Sequence, residues 1–219
     1  MAYAIAALKR GNMAISHIFC FVMPYQSKNY ENLLGIKGLS DKLLNNHFSL
    51  YEGYVKNTNK LFEALDELHD ANKAGSPQFA ELKRRLGWEF NGRRLHELYF
   101  ENLTKDFKEL DINSSFYKKI EAGYDNFNYW LEDFKATASM RGIGWVILYY
   151  DKKDGCLINS WINEHDAGHP AGCAPLLVMD IFEHAYMIDY GLKRADYIET
   201  FLAAIDWQAV ADRFEKALT

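Results

Sequence analysis

The sequence predicts an α+β protein in which a helical N-terminal half precedes an α/β half with a small three-stranded antiparallel sheet. Apolar residues recur at three- and four-residue steps from residue 40 to about 72, which is the period of an amphipathic helix. Further along, apolar and aromatic runs at 145–150 and 156–161 flank a polar turn, which is the pattern of a β-hairpin. A chain of 219 residues is long enough to bury the core of such a fold.

The N-terminal half, residues 23–112, is predicted to be a helical hairpin domain. Ser40-Asp41 is a suitable N-cap for its first helix, in which the apolar positions are Leu43, Leu44, Phe48, Leu50, Tyr51, Tyr54 and Val55. Residues 73–77 break the pattern. We then expect a helix at about 77–88, a turn at Asn91-Gly92, and a further helix at about 93–103 that carries His96.

The C-terminal half, residues 113–219, is predicted to combine the sheet with flanking helices. Residues 105–127 are a polar connection with short helical pieces, and the apolar run 174–179 is expected to add a third strand to the hairpin. Further helices are expected at about 128–140, 182–190, 196–204 and 207–218.

Composition and charge exclude several functional classes. The net charge of −5 gives no indication of a nucleic-acid partner, and no apolar run is long enough to span a bilayer. The three cysteines, Cys20, Cys156 and Cys173, show no Cys-x-x-Cys spacing, so neither a disulfide framework nor a zinc knuckle is indicated. A reducing compartment fits this pattern, and we expect a cytoplasmic protein.

The first 22 residues differ from the rest of the chain. Lys9-Arg10 and the short apolar run 14–22 resemble the start of an export signal, but Met23-Pro-Tyr-Gln lacks the small-residue cleavage site that should follow. We therefore expect Met23 to be the natural start and residues 1–22 to be a non-native extension. An inefficient export signal is the alternative.

The segment Asp180-Ile-Phe-Glu-His-Ala-Tyr186 is the clearest functional motif. On a helix, Asp180 and His184 would share one face and could converge on one point. A carboxylate and a neutral imidazole suit iron, manganese or zinc. The apolar strand before Asp180 would deliver this acid into the interior, where it needs a partner such as a metal ion.

This segment resembles the Asp-x-Trp-Glu-His-Ala-Tyr-Tyr signature of the iron/manganese superoxide dismutases. The resemblance extends from about Tyr25 to the C-terminus and includes three further blocks in the expected order, at 46–59, 95–100 and 142–147. It implies one Fe or Mn ion per subunit, bound by His47, His96, Asp180 and His184, and conversion of superoxide to dioxygen and hydrogen peroxide. The helical domain followed by an α/β domain is also the architecture that the resemblance implies.

The resemblance also implies residues that act beside the metal. Tyr54 matches a gateway tyrosine, although it lies one position closer to the first ligand than in most members, so we expect a regular helix here where others carry a bulge. His165 is assigned to hydrogen-bond metal-bound solvent, with His169 as its competitor. Trp145 and Phe182 match aromatic wall positions, the latter a tryptophan in most members, and Ile147 replaces a further wall tryptophan.

Substrate steering and assembly follow from the same resemblance. Arg194 matches a family arginine and is our candidate for a basic rim that attracts the superoxide anion. Glu183 is expected to pair with His184 of a second subunit across a two-fold axis, which predicts a homodimer or a tetramer. The accessory tyrosine–histidine contact of the family is expected to be absent, because Met187 occupies the tyrosine position and Tyr51 or Leu50 the histidine position.

The identity of the metal stays open at this level. Gly92 favours manganese-type members, His165 favours a branch that often uses iron, and Val178 matches neither preference. We favour iron slightly, and either metal fits. Two rival functions remain: a family-like metal-binding protein with a structural role and no turnover, and a zinc hydrolase, which the lack of a candidate general base disfavours.

Overall fold

The structure, a computed structural model, describes residues 24–219, so the predictions for residues 1–22 and for Cys20 lie outside it. Seven α-helices and three strands form in this part of the chain. The helices are α1 (Asp41–Asp70), α2 (Pro77–Glu101), α3 (Ser115–Tyr124), α4 (Phe127–Ala138), α5 (Met187–Tyr190), α6 (Arg194–Leu202) and α7 (Trp207–Leu218). The strands are β1 (Trp145–Asp151), β2 (Cys156–Ile162) and β3 (Ala174–Asp180). The predicted α+β class is confirmed.

Helices α1 and α2 form the predicted hairpin, and both begin at a serine cap. The Ser40 hydroxyl accepts a hydrogen bond from the Leu43 amide, and Ser76 does the same for Phe79, with Pro77 in the first turn of α2. Asp189 accepts hydrogen bonds from the amide and the hydroxyl of Ser40, at 2.7 and 2.6 Å. This contact ties the start of α1 to α5.

The prediction of a turn at Asn91-Gly92 was wrong, because α2 runs without a break from residue 77 to residue 101. Gly92 is needed for packing rather than for a turn. A Cβ atom at this position would lie 2.6 Å from Cδ1 of Tyr54, so only a glycine lets the Tyr54 ring lie against α2. The packing of two long helices therefore overrides the local Asn-Gly turn signal.

The three strands form an antiparallel sheet in the order β2-β1-β3. The three apolar runs at 145–150, 156–161 and 174–179 had predicted such a sheet. Central strand β1 is almost wholly buried, and its first residue, Trp145, pairs with Asp180 of β3. The β1–β3 ladder contains one bulge, because Leu148 pairs with Leu177 whereas Tyr149 pairs with Pro175. The ladder thus brings the last residue of β3 beside the first of β1.

The predicted helix at 182–190 was wrong, and Asp180 does not lie on a helix with His184. Asp180 ends β3, a 3₁₀ turn spans Glu183–Ala185, and only the four residues of α5 are α-helical. The Asp180 carboxylate accepts a hydrogen bond from the Phe182 amide at 2.8 Å, a local turn contact that competes with helix initiation. The apolar run does deliver Asp180 into the interior, where it is fully buried.

Membrane insertion was not expected from the sequence. Within residues 24–219, no helix combines the length and the apolar character that crossing a membrane requires.

Candidate metal centre

Four side chains from four separate parts of the fold meet at one point between the helical hairpin, α1 and α2, and the sheet. His47 comes from α1, His96 from α2, Asp180 from the end of β3, and His184 from the 3₁₀ turn. One nitrogen or oxygen atom of each lies within 4.8 Å of those of the other three. The group is buried apart from His184, whose side chain is 29% exposed.

The imidazole nitrogens converge on one carboxylate oxygen of Asp180. Nε2 of His47, His184 and His96 lies 3.2, 3.1 and 3.6 Å from Asp180 Oδ2. His96 Nδ1 is 2.5 Å from the carbonyl oxygen of Gly92, which can only accept, so Nδ1 carries the hydrogen and Nε2 carries a lone pair. His96 Nε2 is buried and has no hydrogen-bond partner among residues 24–219. A cation within the cluster would satisfy this nitrogen.

The electrostatics of the cluster favour the protonation state that a metal needs. Burial lowers the pKa of His47 and of His96, so both imidazoles are held neutral. Burial alone would raise the pKa of Asp180, but the interactions with His184 and His47 outweigh it and hold that pKa well below its usual range. An ionised carboxylate among imidazole nitrogens is a donor set that suits Fe or Mn, so the residues fit such an ion.

Tyr54 and His165 lie beside this cluster and are hydrogen-bonded to each other. Trp145 Nε1–H, a donor only, is 3.1 Å from His165 Nδ1, which must therefore accept. His165 then carries its hydrogen on Nε2 and donates it to the Tyr54 hydroxyl oxygen at 2.8 Å. The two hydrogen bonds are thus donated in one direction, from Trp145 to His165 and from His165 to Tyr54. The hydrogen of the Tyr54 hydroxyl remains available for another acceptor.

His165 is fully buried, and burial lowers its pKa to about 4, so the ring is neutral. Burial also raises the pKa of Tyr54, which keeps its hydroxyl protonated. The expectation that His165 contacts metal-bound solvent stays a prediction. In the structure its two ring nitrogens are hydrogen-bonded to Trp145 and Tyr54.

Aromatic rings surround the cluster, among them those of Trp145 and Phe182. The Trp145 ring lies edge-on to His96 at 5.0 Å, and Phe182 stacks on His184 at 5.3 Å and 16°. Tyr54 stacks on His96 at 5.2 Å. Ile147 is buried in the centre of β1. These rings separate the cluster from bulk water on several sides.

The remaining predicted residues lie outside the cluster. His169 donates to the backbone carbonyl of His165 at 2.8 Å and accepts from the Tyr149 hydroxyl at 2.6 Å, so it supports the loop that carries His165. Glu183 is exposed on the 3₁₀ turn beside His184. The Arg194 guanidinium donates to the carbonyl oxygens of Met140 and Gly142.

Trp88 contacts the site but was not among the predicted residues. Its ring lies 4.5 Å from that of His165 and 5.4 Å from that of Tyr54. The signal was present in the sequence, since Trp88, Gly92 and His96 follow each other at four-residue steps and share one side of a helix. The turn that we predicted at Asn91-Gly92 interrupted this stripe and concealed it.

The fold and the cluster define a protein in which three histidines and one aspartate, between a helical hairpin and a small sheet, form a group suitable for one metal ion. Comparison with known proteins agrees with this class. Residues 112–213 match the family described as iron/manganese superoxide dismutases, C-terminal domain.

Similar proteins extend this match over most of the chain. Superoxide dismutase [Fe] of Cupriavidus metallidurans is 37% identical over 188 residues, which cover 84% of this chain and 92% of that protein. Superoxide dismutase [Fe] of Aquifex pyrophilus is 34% identical and covers 88% of this chain and 92% of its own length. Superoxide dismutase [Mn] 2 of Haloferax volcanii is 30% identical, and the match covers 82% of this chain and 89% of that protein. The chain belongs to the iron/manganese superoxide dismutase family.

Proposed function

We propose that this protein removes superoxide at the four-residue centre. The activity is that of a superoxide dismutase, in which two superoxide anions and two protons give dioxygen and hydrogen peroxide. The observation that carries the proposal is the convergence of His47, His96, Asp180 and His184 beside the Tyr54–His165 hydrogen bond. A structural protein without turnover would need the four ligands but not the neighbouring Tyr54 hydroxyl and its hydrogen bond to His165.

The cofactor is one Fe or Mn ion, which when bound stores and returns the electron that passes between two superoxide molecules. The side chains supply what surrounds that exchange. Asp180 contributes the negative charge of the centre, and the buried imidazoles contribute neutral donors. Tyr54 accepts from His165 and can present its hydroxyl hydrogen to an incoming oxygen anion, which assigns proton delivery to this hydroxyl.

We propose iron as the slightly favoured metal. His165 supports this choice and Gly92 supports manganese, while Val178 is neutral between them. Named relatives include both iron and manganese enzymes at similar identity, which fits a centre able to hold either. Activity and metal content after separate reconstitution with each ion would decide this point.

Arg194 is our candidate for attracting the substrate. Its guanidinium is fixed by the carbonyl oxygens of Met140 and Gly142, which are neutral, so these contacts leave its positive charge uncancelled. A fixed cation of this kind would raise the arrival rate of an anionic substrate at low ionic strength. Arg194→Gln should therefore lower kcat/KM and reduce its dependence on salt.

We further propose a homodimer, or a tetramer built from it, in a reducing cytoplasm. The exposed position of Glu183 beside the partly exposed His184 leaves both available to a second subunit. Apolar Met187, Ile188 and Leu192 are exposed on the following segment, and a subunit contact would cover them. We also propose a domain boundary near residues 112 and 113, which is supported by the start of the family match at residue 112.

The test is superoxide consumption by the purified protein with its bound metal quantified. His96→Ala removes one of the four ligands and should abolish tight metal binding together with the activity. His69→Ala, at a partly exposed histidine near the end of α1, is the matched control and should change neither. Metal binding without superoxide consumption in the wild type would favour the structural role, and turnover with zinc on a hydrolysable substrate would favour a hydrolase.

A further inference from the structure

Trp88 packs on the pair of side chains that our proposed function uses for proton delivery. Among residues 24–219 its ring is the nearest aromatic ring to that of His165, at 4.5 Å and 67°; those of Tyr54, Phe182, Trp145 and His96 lie at 4.9, 4.9, 5.8 and 6.1 Å. Trp88 also contacts Tyr54 at 5.4 Å. It therefore lies against both ends of the His165–Tyr54 hydrogen bond.

Two charged side chains hold Trp88 in this position. The guanidinium carbon of Arg85 lies 3.8 Å from the centre of the Trp88 ring, and Arg85 Nε donates to Glu89 at 3.0 Å. The Trp88 indole N–H donates to the carboxylate of Glu164 at 3.3 Å. The ring is thus anchored both to its own helix and to the loop beyond β2.

Glu164 directly precedes His165, so this hydrogen bond links Trp88 to the backbone that orients the imidazole. Glu164 has a φ of +55°, an uncommon conformation for a residue with a side chain, and the loop is closed by a bridge between Asn163 and Ala167. The same loop packs directly against α2, since a Cβ atom at Gly87 would make ordinary contact with Asp166, at 3.6 Å. Helix α2 and the loop therefore fit together around Trp88.

We infer that Trp88 is a positioning residue for His165, and through it for the Tyr54 hydroxyl. A neutral imidazole can accept from Trp145 and donate to Tyr54 only in one ring orientation and one tautomer, and Trp88 restricts the ring to that orientation. In this chain α2 supplies an indole to the wall of the centre. The inference rests on the proposed roles of His165 and Tyr54.

The test uses metal-loaded enzyme with equal metal content in every sample. Trp88→Leu removes the ring, and Trp88→Phe keeps a ring but removes the indole N–H. Trp207→Phe is the control, because Trp207 is a buried tryptophan that contacts Phe127 and Trp130 in the C-terminal half. Superoxide decay is followed by stopped flow to obtain kcat and kcat/KM across pH, in H₂O and in D₂O.

Trp88→Leu should lower kcat by roughly 10- to 100-fold, the usual effect of a small misplacement of a reacting group, with a smaller change in kcat/KM. Its solvent isotope effect and its pH profile for kcat should also change, and Trp88→Phe should recover most of the lost rate. A wild-type kcat and pH profile in Trp88→Leu, or a loss that Trp207→Phe reproduces, would overturn the inference. An inactive wild type would instead refute the proposed function.

Discussion

Gly92→Ala is a sensitive test of how α1 and α2 form the centre. A Cβ atom at this position would lie 2.6, 2.8 and 3.0 Å from three carbons of the Tyr54 ring, whereas ordinary contact begins at 3.4 Å. The ring must therefore withdraw by about 0.8 Å. The Tyr54–His165 bond is 2.8 Å long, so a displacement of this size can bring it to the limit of a hydrogen bond.

The stability change follows from two opposing effects. Replacing glycine by alanine inside a helix contributes about 1 kcal/mol of stability, whereas overpacking a tight contact costs about 1–3 kcal/mol. We expect net destabilisation by up to about 2 kcal/mol, a decrease of several degrees in Tm for a chain of this size. We also expect a lower kcat, because the displaced Tyr54 no longer accepts from His165.

Gly53→Ala is the matched control, since Gly53 precedes Tyr54 on α1 and its Cβ would meet nothing within 4 Å among residues 24–219. This variant should be more stable than the wild type by about 0.4–1 kcal/mol and fully active. Thermal unfolding and superoxide decay are measured on both variants at equal metal content. A Gly92→Ala protein that is stabilised like Gly53→Ala and keeps its kcat would refute the packing argument.

The remaining predictions concern the proton chain, the subunit contact and the start of α1. His165→Ala should retain the metal and lower kcat by roughly 10²-fold, as metal analysis and kinetics would show; complete metal loss would make His165 a ligand. Glu183→Ala should weaken the dimer by ~3–5 kcal/mol for each lost pair and lower activity, whereas Met187→Ala should do much less; an unchanged dimer in sedimentation velocity would contradict this assembly. Ser40→Ala should destabilise the protein by about 1 kcal/mol in urea unfolding without loss of bound metal; an unaltered midpoint would show that neither the cap on the Leu43 amide nor the hydroxyl's bond to Asp189 contributes.

Hydrophobic patterning was sufficient to predict most of the fold, because helix α1, the β-hairpin that contains β1, and strand β3 all bury apolar side chains. It failed where a contact distant in sequence decides the backbone. Asn91-Gly92 has turn composition, yet Tyr54 packing keeps it helical. The segment after Asp180 has helical spacing, yet its carboxylate binds the Phe182 amide and a 3₁₀ turn results.

The candidate ligands were predictable because their residue types and order resemble a known pattern, and the structure brings these four together. The surroundings were less accessible to sequence reasoning. Trp88 reaches His165 only because α2 is continuous and the loop at 163–167 folds against it. The direction of the hydrogen-bond chain also required coordinates, since it depends on which nitrogen of His165 faces the donor-only indole of Trp145.

The bulge in β3 divides this strand into an N-terminal part that tolerates an inserted or deleted residue and a C-terminal part that does not. Leu176 is the extra residue, and Arg213 donates to its carbonyl oxygen at 2.9 Å, so an irregular backbone is already satisfied there. From Leu177 to Asp180 the pairing with β1 is regular, and the Val178 amide is fixed by Asn102 at 2.9 Å. One residue inserted in this regular half would turn the Asp180 carboxylate to the opposite face of the sheet. Variation in strand length among functional relatives should therefore concentrate before residue 177.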